Sequence, residues 1–320
     1  MVSVKAKIVL NVLLFSLFYS GGFAWALELD VLVLYNKNFK DRNNESLVVN
    51  SYINTANSTY KNSGMFTRLR LAHHRHLDIR YSDKVGDGLI KELGMDRSVW
   101  EIEDTYRPDI TVYISDVNPG YGEHGLCGKG RFPARLSPRL PGSIENSSTR
   151  FRSRAIVGWN GGCGKQTFIH EVGHVLGAGH GDVYQRWEIL DGLINGTDKF
   201  HPGYPLEESV GHGVYNVFRT IMTYSDVYGS APRKFLISNP SIRYEGLRTG
   251  TSNKNAAGGM DLVARELVRY NSACYPAGRT KDRYGRVVGR SCSYWLHCTE
   301  WQTVRSGRIA REECVAYSPD

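Results

Sequence analysis

One segment, from His170 to His180, constrains the fold of this chain more than any other. It reads HEVGHVLGAGH and follows the pattern H-E-x-x-H-x-x-G-x-x-H. Residues four apart share one face of a helix, so His170 and His174 can direct ring nitrogens at the same point. Gly177 permits a positive φ angle, so the chain can leave the helix there and bring His180 back as a third ligand. The segment therefore predicts a helix that ends in a turn at a metal site.

The residue types in this segment indicate a catalytic zinc site. Three imidazole ligands leave one tetrahedral position of zinc open for water, as in catalytic rather than structural sites. Glu171 follows the ligand His170, where it can take a proton from that water and later pass it to a leaving amine. The expected reaction is hydrolysis of a peptide bond. Apolar residues that would bury the helix are Phe168, Ile169, Val172, Val175 and Leu176.

This motif resembles that of the metzincin metallopeptidases, and the chain around it resembles their reprolysin-like (adamalysin-type) branch of bacterial type. Metzincins also have a methionine turn below the zinc ligands, and residues 220–225 (TIMTYS), with Met222, are the candidate for it. The similarity extends more loosely over residues 28–272. One departure is Gly181 directly after the third histidine, with Asp182 next, where reprolysins usually have the aspartate.

The resemblance implies an α/β (α+β) fold. It implies a twisted, mostly parallel five-stranded sheet and an active-site helix between an upper and a lower lobe. Met222 would be a packing floor below the zinc ion rather than a ligand. Tyr224 resembles the tyrosine that astacins and serralysins place near the metal, so it would donate a hydrogen bond to the oxyanion, with ordinary packing as the alternative. A segment near Tyr121–Cys127 would be the edge strand that pairs with an extended substrate.

The order of strands and helices predicts a mostly parallel sheet without help from the motif. Apolar or alternating segments predict strands, and segments with helical periodicity lie between them. The resulting β-α-β-α-β order is typical of a parallel sheet. The predicted strands are 27–35, 69–79 and 109–115, the predicted helices are 43–61, 85–93, 99–105 and 260–270, and residues 155–159 lead into the active-site helix.

Residues 1–26 have the features of a secretory signal peptide. Lys5 and Lys7 precede an apolar stretch, and Ala24-Trp25-Ala26 fits the rule for signal cleavage, so Leu27 would begin the mature chain. An uncleaved membrane anchor is the alternative. The expected location is secreted and extracellular, or periplasmic in a Gram-negative bacterium, with no stable membrane insertion after cleavage.

The rest of the chain is predicted to form a catalytic domain and a small extension. The catalytic domain would cover residues 27–274, with an upper lobe at 27–180 and a lower lobe at 181–274. Residues 275–320 are basic and contain cysteines, which predicts a small disulfide-containing appendage. The formal net charge of +8 is modest, and no nucleic-acid-binding pattern accompanies it. We therefore expect protein or peptide substrates and no nucleic acid, while the oligomeric state stays open.

Cysteines and sequons are consistent with an exported protein. An even number of six cysteines suggests three disulfides, whose pairing a sequence alone leaves open. We expect Cys127 to pair with Cys163, and the other four cysteines to pair among themselves near the C-terminus. Those four are Cys274, Cys292, Cys298 and Cys314. The N-x-S/T sequons begin at Asn44, Asn57, Asn146 and Asn195.

Other histidines and acidic residues give weaker predictions. His73, His74 and His76 could form a second metal site, but a surface or edge-strand role is favoured because adjacent residues of a strand face opposite sides. His201 and His212 are expected to be structural or exposed. Structural calcium is possible but not indicated, because acids such as Asp182 and Asp191 form no recognisable calcium loop.

The predicted function is a secreted zinc endopeptidase with Glu171 as general base. One alternative is a zinc-binding adhesin or toxin subunit without catalysis, although Glu171 is the residue that an inactive scaffold can most easily lose. A second alternative is a zinc aminopeptidase of narrow specificity. That enzyme would need an acidic group to bind the free amine of its substrate, and the sequence identifies none.

Overall fold

A computed structural model describes residues 27–79, 84–117, 126–131, 153–180, 208–224, 227–274, 279–281, 287–290, 297–306 and 309–318. The predicted signal peptide lies outside these residues, as do His201 and both acids weighed for calcium. In the described part of the chain, no helix is long and apolar enough to cross a membrane.

Six helices and a main sheet account for most of the described residues before residue 275. The helices are α1 (Lys37–Arg42), α2 (Glu45–Asn62), α3 (Asp87–Met95), α4 (Arg97–Tyr106), α5 (Lys165–Val175) and α6 (Ala256–Cys274). The strands of the main sheet are β1 (Leu27–Tyr35), β2 (Thr67–His76), β3 (Ile110–Ser115), β4 (Gly128–Gly130) and β5 (Arg154–Gly158). The strands that follow are β6 (Gly213–Val214), β7 (Phe218–Arg219), β8 (Arg243–Tyr244), β9 (Leu247–Arg248), β10 (Arg279–Lys281), β11 (Val287–Arg290), β12 (His297–Ser306) and β13 (Ile309–Ser318).

The main sheet has the order β2-β1-β3-β5-β4. The first four of these strands are parallel, and β4 is antiparallel to β5 at one edge. The mostly parallel five-stranded sheet is therefore confirmed. Most of the segment near Tyr121–Cys127, which was expected to form the edge strand, lies outside the described residues; the edge strand that the structure describes is Gly128–Gly130, directly after that segment. Glycine has a low β propensity, so these residues carry no strand pattern of their own.

Both faces of the sheet are buried, which explains the apolar run in β1. Leu29, Val31 and Val33 belong to the core that α2, α5 and α6 cover. Leu32 and Leu34 belong to a second core with α3 and α4 on the opposite face. Successive side chains of a strand alternate between faces, so the part of β1 that is buried on both faces, Val31–Tyr35, is apolar at every residue.

The predicted helices are present. One further short helix was not predicted, and the last helix begins earlier than expected. Helix α2 begins after Asn44, whose side chain accepts a hydrogen bond from the backbone N–H of Leu47. The short helix α1 was not predicted, although Asn36 caps it in the same way. Helix α6 begins at Ala256, before the expected start at residue 260. One or two helical turns contain too few residues for a periodic pattern to be detected in the sequence.

A buried ion pair joins β5 to α4. Arg154 is fully buried, and its Nη2 lies 2.7 Å from Oε2 of Glu103. Its Nε donates to Oε1 of the same carboxylate at 3.0 Å, and the Thr111 hydroxyl donates to that oxygen at 2.8 Å. Removing one partner of such a pair would leave an uncompensated charge in the core.

Long-range contacts hold the last helix and the loop before α5 in place. Asp261 of α6 accepts hydrogen bonds from the N–H and the hydroxyl of Thr67 at the start of β2, at 2.9 and 2.6 Å. Cys127, next to β4, forms the predicted disulfide with Cys163, with Cα atoms 5.5 Å apart. This bond links β4 covalently to the turn that precedes α5.

The C-terminal region contains a separate four-stranded antiparallel sheet. Its order is β11-β10-β13-β12, and β12 with β13 forms a long hairpin. This sheet lies within the predicted extension at 275–320. The disulfide pairing of the remaining cysteines stays a prediction.

Candidate active site

Helix α5 positions the first two metal ligands. His170 and His174 lie one turn apart and are both buried. Gly177 has a φ of 82°, and its N–H donates to the His174 carbonyl at 2.9 Å, which ends the helix. The following residues bring His180 back towards the first two histidines, as the sequence predicted.

Carbonyl groups set the tautomers of two of these histidines. Nδ1 of His170 lies 3.0 Å from the Ile221 carbonyl oxygen, and Nδ1 of His174 lies 2.8 Å from the Ala178 carbonyl oxygen. A carbonyl can only accept, so both Nδ1 atoms carry the proton and both Nε2 atoms present a lone pair. Backbone carbonyls often orient metal-binding histidines in this way.

The three Nε2 atoms converge on one point. Nε2 of His170 lies 3.1 Å from that of His174 and 3.0 Å from that of His180. Two nitrogen lone pairs at this distance repel each other unless a cation lies between them. The donor set therefore fits a divalent metal, and three imidazoles suit zinc. His170, His174 and His180 form the zinc-binding triad, and no other metal-ligand cluster of this kind occurs among the described residues.

Burial keeps these histidines in the neutral form that binds metals. Loss of solvation lowers the pKa of His174 to about 4. Burial, together with the neighbouring histidines, also lowers the pKa of His170 and of His180. At neutral pH all three rings are therefore uncharged, and metal binding needs no proton release from them.

Glu171 lies beneath the edge strand β4. Its side chain is buried, and burial raises its pKa to about 8, opposed by a hydrogen bond from the Gly130 N–H and by the charge of Lys129. A divalent cation beside the carboxyl would favour the charged form. A Cβ atom at Gly128 would lie 2.5 Å from the Glu171 carboxylate, and one at Gly130 would lie 2.7 Å from the Cβ of His174. The two glycines therefore allow β4 to lie directly on α5.

Met222 and Tyr224 lie on the other side of the triad. Met222 is fully buried, and a Cβ atom at Gly173 of α5 would lie 2.6 Å from its sulfur. The Tyr224 ring centroid lies 4.2 Å from that of His180 and 6.4 Å from that of His170. The structure thus brings both residues to the site, and their roles stay predictions.

Two arginines beside this turn were not predicted. Nη1 of Arg219 and Nη2 of Arg233 both donate to the Thr223 carbonyl oxygen, each at 3.1 Å. Burial lowers the pKa of Arg233 to about 10, and the charge of Arg219 adds to this effect, so Arg233 stays charged at neutral pH. Arg219 and Arg233 lie on separate segments, so no local spacing in the sequence could have indicated the pair.

Three other histidines that the structure describes have structural contacts. His73 stacks on Tyr106 with ring centroids 3.9 Å apart, and His76 lies 3.0 Å from Asp78. His212 contacts Thr220 through its main chain, whose N–H lies 3.0 Å from the threonine hydroxyl. These contacts favour the structural interpretation over a second metal site.

Comparisons with known proteins agree with this geometry. Residues 47–181 match the family model described as metallo-peptidase family M12B, reprolysin-like. A peptidyl-Asp metalloendopeptidase of Pseudomonas aeruginosa is 29% identical over 223 residues, which are 67% of this chain and 34% of that protein. A serralysin of Photorhabdus sp. (strain Az29) is 32% identical over 123 residues, which are 35% of this chain and 23% of that protein. The chain thus spans about a third or less of the length of these relatives.

One solved structure has a similar fold over most of the chain. It is described as the structure of a chaperone-substrate complex, and it matches with a TM-score of 0.55 at 18% identity. The match covers 76% of this chain and 35% of the other. At this identity the similarity concerns the fold alone.

Proposed function

We propose that the reprolysin-like, metzincin-type metallopeptidase domain of this chain is an active zinc-dependent endopeptidase, with Glu171 as its general base. The observation that carries the proposal is the burial of the Glu171 carboxyl next to three histidines whose Nε2 lone pairs converge. A zinc site without catalysis would gain nothing from a buried carboxyl in this position.

Each group in the site has a role in peptide hydrolysis. Zinc, held by the three histidines, would act as a Lewis acid and promote ionisation of water. Glu171 takes a proton from the attacking water and returns it to the departing amine. Burial raises the pKa of this carboxyl, which favours its holding the proton between the two steps, while a bound cation would favour the charged form that accepts the proton first. Tyr224, whose ring lies against His180, donates its hydroxyl proton in a hydrogen bond to the developing oxyanion.

The edge strand β4 provides a place for the substrate. It ends the sheet, so an extended peptide can add to its outer side by main-chain hydrogen bonds. Because β4 lies on Glu171, a peptide bound there would pass close to the general base. The active-site helix would then separate an upper lobe at 27–180 from a lower lobe at 181–274.

The location of the protein is part of the proposal. We infer that residues 1–26 are a signal peptide and that the mature protein is secreted. The disulfide between Cys127 and Cys163 supports an oxidising compartment. We also infer that residues 275–320 form a small appendage, in agreement with their own antiparallel sheet.

Purified protein beginning at Leu27 would test the proposal, beside a Glu171→Gln variant that keeps the size of the side chain. Both are incubated with a mixed peptide library, and zinc is quantified by mass spectrometry. Because one relative is named for peptidyl-Asp bonds, the library should include acidic residues. We expect one zinc per chain in both proteins and cleavage by the unmodified protein alone. Equal zinc with no cleavage by either would contradict the proposal and favour a binding protein.

A further inference from the structure

We propose that two arginines, Arg219 and Arg233, are positioning residues that fix Tyr224 where its hydroxyl can reach the oxyanion. They act through the peptide bond that precedes Tyr224, whose carbonyl oxygen belongs to Thr223. The inference rests on the proposed function, because it takes from there the role of Tyr224 and adds two residues that act through it. Neither arginine belongs to the zinc triad.

The two guanidinium groups converge on one oxygen because their main chains are paired. The N–H of Arg219 donates to the Pro232 carbonyl at 3.0 Å, and the N–H of Lys234 donates to the Arg219 carbonyl at 2.8 Å. Arg219 and Arg233 therefore lie side by side on neighbouring segments. From there, Nη1 of Arg219 and Nη2 of Arg233 each donate to the Thr223 oxygen at 3.1 Å. A carbonyl oxygen has two lone pairs, and these two donors use both of them.

The Thr223 carbonyl controls the direction in which the chain continues to Tyr224. It belongs to the same planar peptide unit as the Tyr224 nitrogen, so an oxygen that cannot rotate fixes that whole unit. The turn before it is closed separately, since the Thr223 hydroxyl donates to the Thr220 carbonyl at 2.7 Å. The arginines are therefore additional to the bond that closes the turn, and what they restrain is the peptide that leads to Tyr224.

This restraint is stronger than a single backbone contact. A hydrogen bond from an ionised donor is roughly twice as strong as one between neutral groups. Arg219 also donates from Nε to the Ala231 carbonyl at 3.0 Å, so its guanidinium is held by two separate acceptors. Elsewhere in the same region one arginine serves one carbonyl, as Nη1 of Arg248 does for Pro240 at 2.7 Å. A second arginine at Thr223 is explained if the peptide there must be held more rigidly.

Rigidity at this peptide matters because Tyr224 lies beside the metal site. Its ring centroid is 4.2 Å from that of the zinc ligand His180. The hydroxyl lies at the far end of the ring, so a small rotation of the backbone would displace it further than the Cα atom. Burial lowers the pKa of Arg233, and ionised Tyr224 and Glu171 oppose this, so the guanidinium lies within electrostatic range of both groups. A donor to an oxyanion is most effective when its position is fixed in advance.

Binding of a phosphinic peptide tests the inference without turnover. The probe is an acetylated and amidated tetra-alanine in which a phosphinate replaces the central amide and carries the negative charge of the oxyanion. It is titrated by calorimetry into zinc-loaded protein. We expect Tyr224→Phe to weaken binding about 10-fold, because a hydrogen bond to a charged group is lost. Arg233→Ala, and separately Arg219→Ala, should weaken it by about 3- to 10-fold, because the hydroxyl is no longer held in place.

Combining the substitutions distinguishes positioning of Tyr224 from general support of the fold. In Tyr224→Phe protein there is no hydroxyl to position, so Arg233→Ala should change the affinity there by less than about 2-fold. A purely structural arginine would weaken binding equally in both backgrounds. Arg233→Lys keeps the charge and a donor, so it should bind the probe more tightly than Arg233→Ala when Tyr224 is present. In kinetics, the loss should fall on kcat rather than on KM, because the oxyanion forms only during the reaction.

Controls separate these effects from unfolding and loss of metal. Arg248→Ala also removes an arginine from a backbone carbonyl, that of Pro240, and should leave the affinity for the phosphinate unchanged. Thermal unfolding and zinc content are recorded for every variant. If Arg233→Ala does not fold, the comparison is made with Arg233→Lys, which should give a smaller loss with the same dependence on Tyr224.

Three results would overturn the inference. They are an equal effect of Arg233→Ala with and without the Tyr224 hydroxyl, no effect of either arginine on affinity, and no binding of the phosphinate to unmodified zinc-loaded protein. If peptides are cleaved while the effect of Arg233 is independent of Tyr224, the peptidase proposal stands and this inference fails. If no peptide is cleaved while phosphinate binding depends on Arg233 only through Tyr224, this inference stands and the peptidase proposal fails.

Discussion

Helix α5 and the turn around Met222 both contact the zinc triad, but they are held there in different ways. In α5, the spacing of His170 and His174 and the helix end at Gly177 follow from local geometry. The Met222 turn depends on distant segments, because the Ile221 N–H donates to the Leu236 carbonyl and the Thr220 hydroxyl to the His212 carbonyl. One half of the site is thus encoded by a short motif and the other by tertiary contacts.

The two regions meet through close contacts that leave no room for added atoms. Ile221 accepts the Nδ1 proton of His170, and Gly173 faces the sulfur of Met222. A substitution in one region should therefore affect the other wherever these contacts are changed.

The largest effect is expected from a substitution of Glu171, whose proposed role in α5 is purely chemical. Glu171→Gln removes the proton acceptor and should lower kcat by about 10³-fold. The zinc content should not change, because the three ligands are intact. Steady-state kinetics and metal analysis would check this, and a variant that retained most of its activity would exclude Glu171 as the base.

A smaller effect is expected from a substitution in β4 at its contact with α5. Gly130→Ala places a Cβ against the backbone of Glu171 and 2.7 Å from the Cβ of His174. Displacement of the base or of a ligand should lower kcat/KM by about 10²-fold. Gly88→Ala in α3 is the control, because its Cβ would meet no atom within 4 Å. Equal activity of the two variants would show that β4 does not position the base.

The contact between the two regions can be tested through Gly173→Ala. The new Cβ would lie 2.6 Å from the sulfur of Met222, so one of the two must move. We expect a loss of about 1–3 kcal/mol in the free energy of unfolding, despite the better helix propensity of alanine. Urea denaturation would measure it. If the Gly173→Ala variant were more stable than the unmodified protein, the Met222 turn could shift at little cost in free energy.

The smallest effect is expected from Met222→Leu. Leucine has a similar volume, so the free energy of unfolding should fall by less than about 1.5 kcal/mol. Met260→Leu, at another fully buried methionine of the same core, is the matched control. If Met222 is only a packing floor, both variants keep their zinc and similar activity. Loss of zinc from the Met222 variant alone would give the sulfur a more specific role.

Local patterns predicted a large part of the molecule. The apolar run of β1 gave its bounds as Leu27–Tyr35, and the structure has the same bounds. The pairing of Cys127 with Cys163 and the helix at residues 43–61 were also close to what is observed. The strand and the helix depend on periodicity and capping, which are properties of neighbouring residues, whereas the disulfide was expected from the even number of cysteines in the whole chain.

Features without a local pattern were missed. β4 consists of Gly128, Lys129 and Gly130, and its glycines are explained only by the helix that lies beneath them. Asn57 begins a sequon, yet both ends of its side-chain amide are bonded to the backbone of Leu69, at 2.8 and 2.7 Å. This contact favours a structural role over glycosylation at that residue.

The sequence by itself determined the zinc-binding histidines, the glutamate proposed as base that follows the first of them, and the parallel order of the strands. These depend on helical periodicity, on a glycine that permits a positive φ, and on alternation of apolar residues, which act over short stretches of chain. Only the tertiary structure decided that Gly130 would lie on Glu171, and that Arg219 and Arg233 would meet at the carbonyl of Thr223. Such contacts join segments far apart in the chain, and they form because packing of the core brings those segments together.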